Sequence, residues 1–448
     1  MDVLAALLIS LFFMISAVLN GFFLGFPLSI SLIMFAFILH RRGFTWKRIY
    51  DMGIAGSKHG LPVVLTFILI GAITASWLAA GTIAYLVSLA LQLLQPEFFL
   101  LSAFWLCCLV SFALGTSFGT CSTVGLVLIV LARSGHVDLS MTAGAIISGI
   151  YFGDRASPMS SALSLLSTLT KTNVYSNVGI MLRSSLVPFG LASIAFGILS
   201  PTQPLQSFNS TLPNLLAETF KLDWVVLLPA VLIFGLCILR FPVKKAMGIS
   251  VVSAIAVACF FQGVAPLDIA RQLVFGFSLP SSDALAGVFK GGGIFSMLQT
   301  SYIILVATAI SGLFDQGGLL DSLRPFVAKA KTRTGLYART LAVAILTAAF
   351  GCNQAISIIM TTETMQPIYA GHKLSASALV HDVSLAAFLV PGMIPWNIAS
   401  LVPLTTLDQV GMASLPFNFF LIFGALYFLV QSVFMDKAEL EIAEHAMK

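Results

Sequence analysis

The stretch GDRASPMSS at residues 153–161 concentrates polar groups within an apolar part of the chain. Asp154 supplies a carboxylate, Ser157 and Ser160 supply hydroxyls, and Pro158 leaves a backbone carbonyl one turn earlier without its helical partner. Carboxylate, hydroxyl and unwound carbonyl oxygens are hard ligands suited to Na⁺. One carboxylate can hold a proton or a metal cation, but not both. The stretch therefore predicts a site that exchanges a cation for a proton.

A structural role for Asp154 is the alternative. A carboxylate at membrane depth is costly unless it is paired, hydrated or protonated, so an ion pair with Arg155 or an anchor at a helix end would also explain it. Neighbouring side chains on a helix point in different directions. Adjacency alone therefore does not make the two residues a pair.

The composition places these residues in a membrane. Hydrophobic residues make up 58% of the 448 residues and charged residues 9%, whereas a soluble domain has about 25% charged residues. Many windows exceed the ~18 apolar residues that cross a bilayer core. We expect an integral, multi-pass protein of a bacterial cytoplasmic (inner) membrane. The net charge is +5, and its basic residues are expected mainly in cytoplasmic loops. The sequence has no basic domain that could bind nucleic acid.

Enzyme and cofactor signatures are missing from the sequence. It contains no P-loop, no H-E-x-x-H and no G-x-S-x-G motif. The six cysteines lie in apolar segments without metal-binding spacing, which is typical of small buried side chains. We therefore expect a non-enzyme without a cofactor, driven by gradients of transported ions such as Na⁺ and H⁺.

Four apolar segments are interrupted by small or polar residues. The interruptions are GTSFGTCST (115–123), GDRASPMSS (153–161), GCNQ (351–354) and VPGMIPWN (390–397). Lipid cannot satisfy the backbone groups freed there, so the breaks must face protein or a watery cavity. Close helix packing by small residues is an alternative for the first break. Besides the residues of GDRASPMSS, the candidate ion or substrate ligands at these breaks are Thr116, Ser117, Thr120, Asn353 and Asn397.

The breaks occur as two pairs in the same order, which predicts an internal duplication. Aligning Gly115 with Gly351 also places Gly135-His136 on Gly371-His372. Basic residues precede the second copy, whereas no Lys or Arg lies between residues 59 and 132, so the copies enter the membrane from opposite sides. Five apolar segments separate the basic loops at 41–48 and 240–245. Because five is odd, one broken segment must fold back as a hairpin.

The predicted fold is an all-α polytopic membrane protein with inverted-topology repeats, broken helices and re-entrant hairpins, over about 11–12 hydrophobic segments. We divide it into an N-terminal membrane helix (1–23), a first repeat (24–241), a second, inverted repeat (242–435) and a cytoplasmic or interfacial tail (436–448).

Three titratable residues of the second half are candidates for a proton relay. Glu363 lies about three turns beyond Gly351, either in the site or at the outer rim. His381 and Asp382 begin the next helix. Histidine is suited to moving protons near neutral pH, and a satisfied interfacial pair is the alternative for these two.

Several stretches together resemble the NhaC-type sodium/proton antiporters. They are AGAIISGIYFGDRASPMS (143–160), GTSFGTCSTVG (115–125), GAITASWLAAGTI (71–83) and MIPWN (393–397), and the resemblance spans about residues 24–430. It implies a broken-helix, inverted-repeat transporter that exchanges Na⁺ for H⁺, although some members exchange organic anions or amino acids. The aspartate of the family maps to Asp154, its serines to Ser157 and Ser160, and its threonine-rich break to Thr116 and Thr120.

One departure from the family pattern bears on the substrate. The family's S-D-T-T becomes Ser160-Ser161-Ala162-Leu163 here, so a second acid is missing. The acidic stretch expected before the MIPWN motif is also absent, and Asp382 stands at a different spacing. Fewer carboxylates favour an alternative, a Na⁺- or H⁺-coupled carrier of an organic acid or amino acid, in which half-helix N-termini and Asn397 hold the substrate carboxylate.

The expected partners follow from these two hypotheses. They are monovalent cations, protons, a small organic anion or amino acid, and membrane lipids, with a second copy of the chain in a homodimer by analogy with other inverted-repeat carriers. A channel or a non-transporting membrane scaffold is a third class of function.

Overall fold

The computed structural model describes residues 2–93, 95–205, 211–239, 241–280, 285–286, 289–318, 332–409 and 412–446. These residues are predominantly helical, and their strands are two short antiparallel ones, β1 (Phe277–Ser278) and β2 (Lys290–Gly291). Eight described helical stretches are long and apolar enough to cross a membrane, and five shorter apolar helices accompany them. The predicted all-α polytopic membrane fold is confirmed.

Four helices precede the helical hairpin that contains the first break. They are α1 (Asp2–Leu19), α2 (Gly25–Arg41), α3 (Trp46–Ala79) and α4 (Thr82–Leu93). A short 3₁₀ turn, Pro96–Phe98, leads from α4 into the first repeat unit. The N-cap of α3 is Thr45, whose hydroxyl accepts a hydrogen bond from the Arg48 amide.

The first break belongs to a helical hairpin, which we name hairpin 1 (residues 99–134). Its elements are α5 (Phe99–Leu114), α6 (Ser117–Thr120), a π-helical turn (Cys121–Gly125) and α7 (Leu126–Ser134). The turn lies at Gly115, whose φ of 67° is left-handed and therefore suits glycine. Thr116 then caps the returning arm, accepting a hydrogen bond from the Gly119 amide at 3.4 Å.

The second break interrupts a crossing helix, which we name broken helix 1 (residues 139–170). It consists of α8 (Leu139–Ala156) and α9 (Ser161–Thr170). α8 runs parallel to α5, because Gly149 faces Cys107 while Gly153, one turn later, faces Phe112. A Cβ at Gly153 would collide with the Phe112 amide nitrogen, so glycine permits this backbone contact. The turn of hairpin 1 therefore meets the break in broken helix 1.

The second half repeats this arrangement. Hairpin 2 (residues 333–371) contains α16 (Arg333–Gly351) and α17 (Gln354–Gly371), and broken helix 2 (residues 376–406) contains α18 (Ala376–Ala386), a 3₁₀ turn (Val390–Met393) and α19 (Ile398–Thr406). The arms of hairpin 2 are antiparallel. Thr340 bonds to the Tyr369 hydroxyl at 3.0 Å near the base, and Thr347 bonds to Ser357 at 3.1 Å near the turn.

Backbone conformation sets the register between the two halves. Four pairs of positions share a left-handed conformation or a helix-capping role, and the residue numbers of each pair differ by the same amount: Gly115 and Cys352, His136 and Lys373, Asp138 and Ser375, Ser160 and Asn397. The alignment of Gly115 with Gly351 was wrong by one residue. The reason is that Gly351 still belongs to α16, and Cys352, with φ of 50°, makes the turn.

The two units have opposite orientations. The base of hairpin 1 lies beside the far end of broken helix 2, where Arg133 pairs with Asp408 at 3.1 Å. α17 of hairpin 2 packs instead against α9, the far end of broken helix 1. This arrangement agrees with the predicted inversion. The units occupy residues 99–170 and 333–406, and the wider boundaries at 24, 241 and 435 stay predictions.

The remaining helices surround these units. They are α10 (Val174–Leu199), α11 (Thr211–Thr219), α12 (Leu228–Ile238), α13 (Val243–Val257) with a π-helical end (Ala258–Gln262), α14 (Pro266–Phe275), α15 (Leu298–Gln316) and α20 (Phe419–Ala446). α3 and α15 are in backbone contact at Gly56 and Gly312. α20 packs against α8, α10 and α16.

The re-entrant path of hairpin 1 predicts that both of its ends lie on the same side of the membrane. Cysteines replacing Glu97 and His136 should both react with an impermeant maleimide added outside intact cells, because both ends of a hairpin lie on one side. A cysteine replacing Lys171, at the far end of broken helix 1, should react only after the cells are opened. Four native cysteines of the described chain are buried and Cys259 is half-buried, and labelling of the unsubstituted protein gives the background. Labelling of positions 97 and 136 from opposite sides would show that residues 99–134 cross the membrane.

Candidate functional site

The centre of the site is Asp154, in the last turn of α8. Its side chain is buried, with 5% of the residue exposed. The helix ends two residues later because Ser157 adopts an extended conformation before Pro158. Ser160 then restarts the helix, its hydroxyl accepting a hydrogen bond from the Leu163 amide at 3.2 Å. The break therefore leaves a carboxylate facing the protein interior.

Both hairpin turns deliver a side chain to this carboxylate. Ser117, the first residue after the cap of hairpin 1, and Ser160, at the restart of broken helix 1, both lie near the Asp154 carboxylate. From hairpin 2, the Gln354 amide nitrogen lies 3.5 Å from Asp154 Oδ2 and donates to the Phe388 carbonyl at 3.1 Å. Ser117 and Gln354 are equivalent positions in the two halves. Asp154 therefore lies between the two hairpin turns.

No cation pairs with Asp154 among the residues that the structure describes. The Arg155 guanidinium points elsewhere and is buried, with 1% of the residue exposed. It donates to oxygens of α10 and α18, namely those of Met181, Ser184, Ser185 and Ser384. These bonds use all five N–H donors of the guanidinium. The alternative of an ion pair between Asp154 and Arg155 is therefore not what the structure contains.

The break in broken helix 2 is hydrogen-bonded to hairpin 2. Trp396 donates its indole N–H to the Ala349 carbonyl at 2.7 Å, and the Ile398 amide donates to the Cys352 carbonyl at 2.9 Å. Asn397 donates to the Ala348 carbonyl at 2.7 Å and caps α19 through the Ala399 amide at 2.9 Å. The side chain of Asn397 thus stabilises the crossing of the hairpin and the break.

Other predicted ligands also hold backbone groups in this structure. Thr120 donates to the Thr116 carbonyl at 2.9 Å, and the Ser157 hydroxyl accepts from the Met159 amide at 3.2 Å. Asn353 caps α17 by accepting from the Ala355 amide at 2.8 Å. These side chains define the shape of the turns, and a direct role for them in binding stays a prediction.

A cavity of about 260 Å³ is lined by Gln354, the residue whose amide nitrogen reaches Asp154. Its walls include the first turns of three helices, represented by Ser161 of α9, Gln354 of α17 and Ile398 of α19. Helix N-termini carry partial positive charge. The space is large enough for several waters or a small organic molecule, and it lies on the side of Asp154 toward which α9 runs.

The three predicted relay residues lie apart from this cavity. Asp382 is fully buried and receives both nitrogens of the Arg333 fork, at 2.5 and 2.8 Å, together with the Tyr369 hydroxyl and His381 Nδ1 at 2.9 Å. Glu363 is exposed on α17. Among the described residues, neither carboxylate contacts Asp154, and a relay through them stays a prediction.

Three participants were missed from the sequence. Gln354 belongs to the GCNQ break, but no sequence spacing marks a glutamine as a ligand. Its signal is its position, since it matches Ser117 once the halves are aligned by their left-handed residues. Arg333 and Tyr369 are distant in sequence from Asp382 and meet it only through the hairpin.

Comparisons with known proteins match the chain to one family model and to several antiporters. A family model described as the Na⁺/H⁺ antiporter family matches residues 149–434. The chain is 30% identical over 392 residues to the malate-2H(+)/Na(+)-lactate antiporter of Bacillus subtilis, covering 84% of this chain and 82% of that protein. It is 26% identical over 406 residues to the Na(+)/H(+) antiporter NhaC of Alkalihalophilus pseudofirmus, covering 88% and 87%. It is 28% identical over 390 residues to the arginine/ornithine antiporter ArcD of Halobacterium salinarum, covering 84% and 79%.

The contacts of Asp382 generate a stability prediction. Asp382→Asn should lower the Tm of the purified protein strongly, because removing one partner of a buried ion pair costs about 3–5 kcal/mol. Changing both partners, with Arg333→Met and Asp382→Asn together, should restore part of the loss. Asp51→Asn, at an exposed carboxylate, is the control and should leave the Tm unchanged. A residue that only relays protons would show the opposite result, an unchanged Tm with loss of proton movement.

Proposed function

Because this chain belongs to the Na⁺/H⁺ antiporter family, we propose that it exchanges a monovalent cation, Na⁺ first among them, for protons. It is an integral multi-pass membrane protein and a transporter rather than an enzyme. The observation that carries the proposal is the environment of Asp154. A buried carboxylate with no cationic partner in the described chain lies between the turns of two oppositely oriented hairpins.

The chemistry of exchange follows from the charge of this carboxylate. Its neighbours Ser117, Ser160 and Gln354 are neutral, so they stabilise the anion without cancelling its charge. A buried charge in low dielectric requires neutralisation, which a proton or a Na⁺ ion supplies. The hydroxyl oxygens of Ser117 and Ser160 can also turn their lone pairs toward a cation. Since one carboxylate accepts one of the two ions at a time, loading of one requires release of the other.

Access to Asp154 differs on its two sides. By the positive-inside rule, the basic loop at 41–48 is cytoplasmic. The cavity at Ser161 and Gln354 extends along α9 as far as Leu165, toward the end of α9 that the same rule makes cytoplasmic. On the opposite side, Cys121 contacts the Pro403 carbonyl at 3.9 Å and Arg133 pairs with Asp408 at 3.1 Å. Alternating access would open these outer contacts and close the inner cavity.

Asp154→Asn tests the proposal. In proteoliposomes with an imposed pH gradient, added Na⁺ should dissipate the gradient with the unsubstituted protein and have no effect with Asp154→Asn, because the amide can neither bind a proton nor balance a cation. Fluorescence of a pH-sensitive dye measures the gradient. Asp268→Asn removes an exposed carboxylate and should retain exchange. Full exchange by Asp154→Asn would remove this residue from the mechanism, and no response of the unsubstituted protein to Na⁺, Li⁺ or K⁺ would refute cation exchange.

Exchange of small organic ions is the second candidate, favoured by the cavity. Ser161, at the position where the family pattern has its second acid, lines the cavity together with the first turns of α17 and α19. A serine there removes a negative charge that would repel an anion, and helix N-termini attract carboxylates. Two of the relatives are named for exchange of malate and lactate and of arginine and ornithine.

Ser161→Asp separates the two candidates. If the cavity holds an organic anion, proteoliposomes loaded with malate should take up labelled lactate, and Ser161→Asp should abolish this uptake while Ser161→Asn retains it. An acid at the first position of a helix is compatible with folding. Uptake that Ser161→Asp leaves unchanged, or absence of uptake by the unsubstituted protein, would contradict anion binding in the cavity.

A further inference from the structure

The corner between α2 and α3 carries an exposed group of basic residues. Arg41, Arg42, Lys47 and Arg48 are all exposed, and none forms an ion pair with a carboxylate of the described residues. These residues lie on the side that the positive-inside rule makes cytoplasmic. We name the four residues the basic corner.

Aromatic side chains lie immediately below the basic corner. Trp46 stacks on His40 with ring centroids 4.5 Å apart and meets Phe37 edge-on at 5.2 Å. Trp46 is 48% exposed and Tyr50 is 68% exposed. Trp and Tyr favour the headgroup level of a bilayer, because their rings are amphipathic. The aromatic group therefore places the basic corner at the headgroup level.

An apolar groove continues from these aromatic residues into the membrane-spanning region. It encloses about 340 Å³ between α2, α3 and α15, and its lining runs from Trp46 and Tyr50 past Gly53 to Leu32 and Leu313. Gly53 has no neighbouring atom within 4 Å of the position of an added Cβ. The groove is therefore open at Gly53, where the side chain of any other residue would occupy part of it.

We propose that the basic corner and the groove together bind one anionic phospholipid of the cytoplasmic leaflet. The phosphate would lie among the basic side chains, and an acyl chain would occupy the groove. Positive charge above an apolar groove matches a ligand with an anionic head and an apolar tail. A soluble anion would leave the groove empty, and a second copy of this chain would bring the same positive charges together.

The position of this site connects it to the transport unit. Val63 of α3 lines the same cavity as Gln354, the partner of Asp154, and the same helix carries Trp46 and Tyr50 at its cytoplasmic end. α3 also contacts α15 backbone to backbone at Gly56 and Gly312. A lipid in the groove would support the pair α3 and α15 from outside, independently of which ion the protein transports.

Native mass spectrometry of the full chain in detergent tests the proposal. The protein is titrated with phosphatidylglycerol or with phosphatidylcholine of the same acyl chains. We expect one tight adduct with phosphatidylglycerol and at least about fivefold weaker binding of phosphatidylcholine, since one basic residue near an anionic headgroup is worth about a factor of five. Equal binding of the two lipids would overturn the headgroup assignment.

Two variants test the two parts of the site. Replacing the basic corner with glutamines should weaken phosphatidylglycerol binding about tenfold or more. Gly53→Leu should fill the groove and also weaken binding, although it favours the helix. The matched control is Gly248→Leu in α13, another helical glycine with open space around it. Unchanged binding in Gly53→Leu, or an equal loss in Gly248→Leu, would overturn the groove as the binding site.

Discussion

The bilayer core offers no hydrogen bonds to a broken helix, and this constraint governs the central architecture. Each break exposes backbone groups that lipid cannot satisfy, and the hairpins and broken helices hydrogen-bond to one another at or near these breaks. The Ile398 amide donates to the Cys352 carbonyl, Trp396 and Asn397 donate to carbonyls at the end of α16, and Ser111 donates to the Ile150 carbonyl of α8 at 2.6 Å. The polar centre of the membrane domain is therefore also what joins the hairpins to the broken helices.

The two halves have matching backbone breaks, but the carboxylate of Asp154 occurs only in the first half. With the register set by the left-handed residues, Ser160 matches Asn397 and Ser117 matches Gln354, whereas Asp154 matches Pro391. The backbone breaks are thus repeated in the two halves, whereas the carboxylate beside the hairpin turns has no counterpart in the second half. A single carboxylate reached by side chains of both hairpins is sensitive to the movement of either one. In the proposed exchange, this asymmetry gives the site one exchangeable charge, and the second half provides a neutral hydrogen-bond donor, Gln354.

The sequence predicted the features that depend on local composition. Breaks rich in Gly, Ser, Thr and Pro stand out against apolar segments, and an odd number of segments between basic loops requires a hairpin. Features that depend on side chains meeting across the fold could not be predicted. Gln354 reaches Asp154 only because the two turns touch, and Arg333 reaches Asp382 only through the base of hairpin 2. The register was wrong by one residue because a cysteine, which rarely adopts a positive φ, makes the second turn.

Asp154 and Arg155 show how neighbouring charges acquire different roles. The guanidinium is enclosed by five oxygen acceptors on α10 and α18, so its charge is satisfied by neutral groups in fixed positions. The carboxylate has fewer and longer contacts, and its partner Gln354 lines a cavity. A fully coordinated charge fastens broken helix 1 to its neighbours, whereas an incompletely coordinated one can accept a mobile ion. The two residues lie in the last turn of α8, which ends at Ala156, and only Asp154 points toward the junction of the hairpin turns.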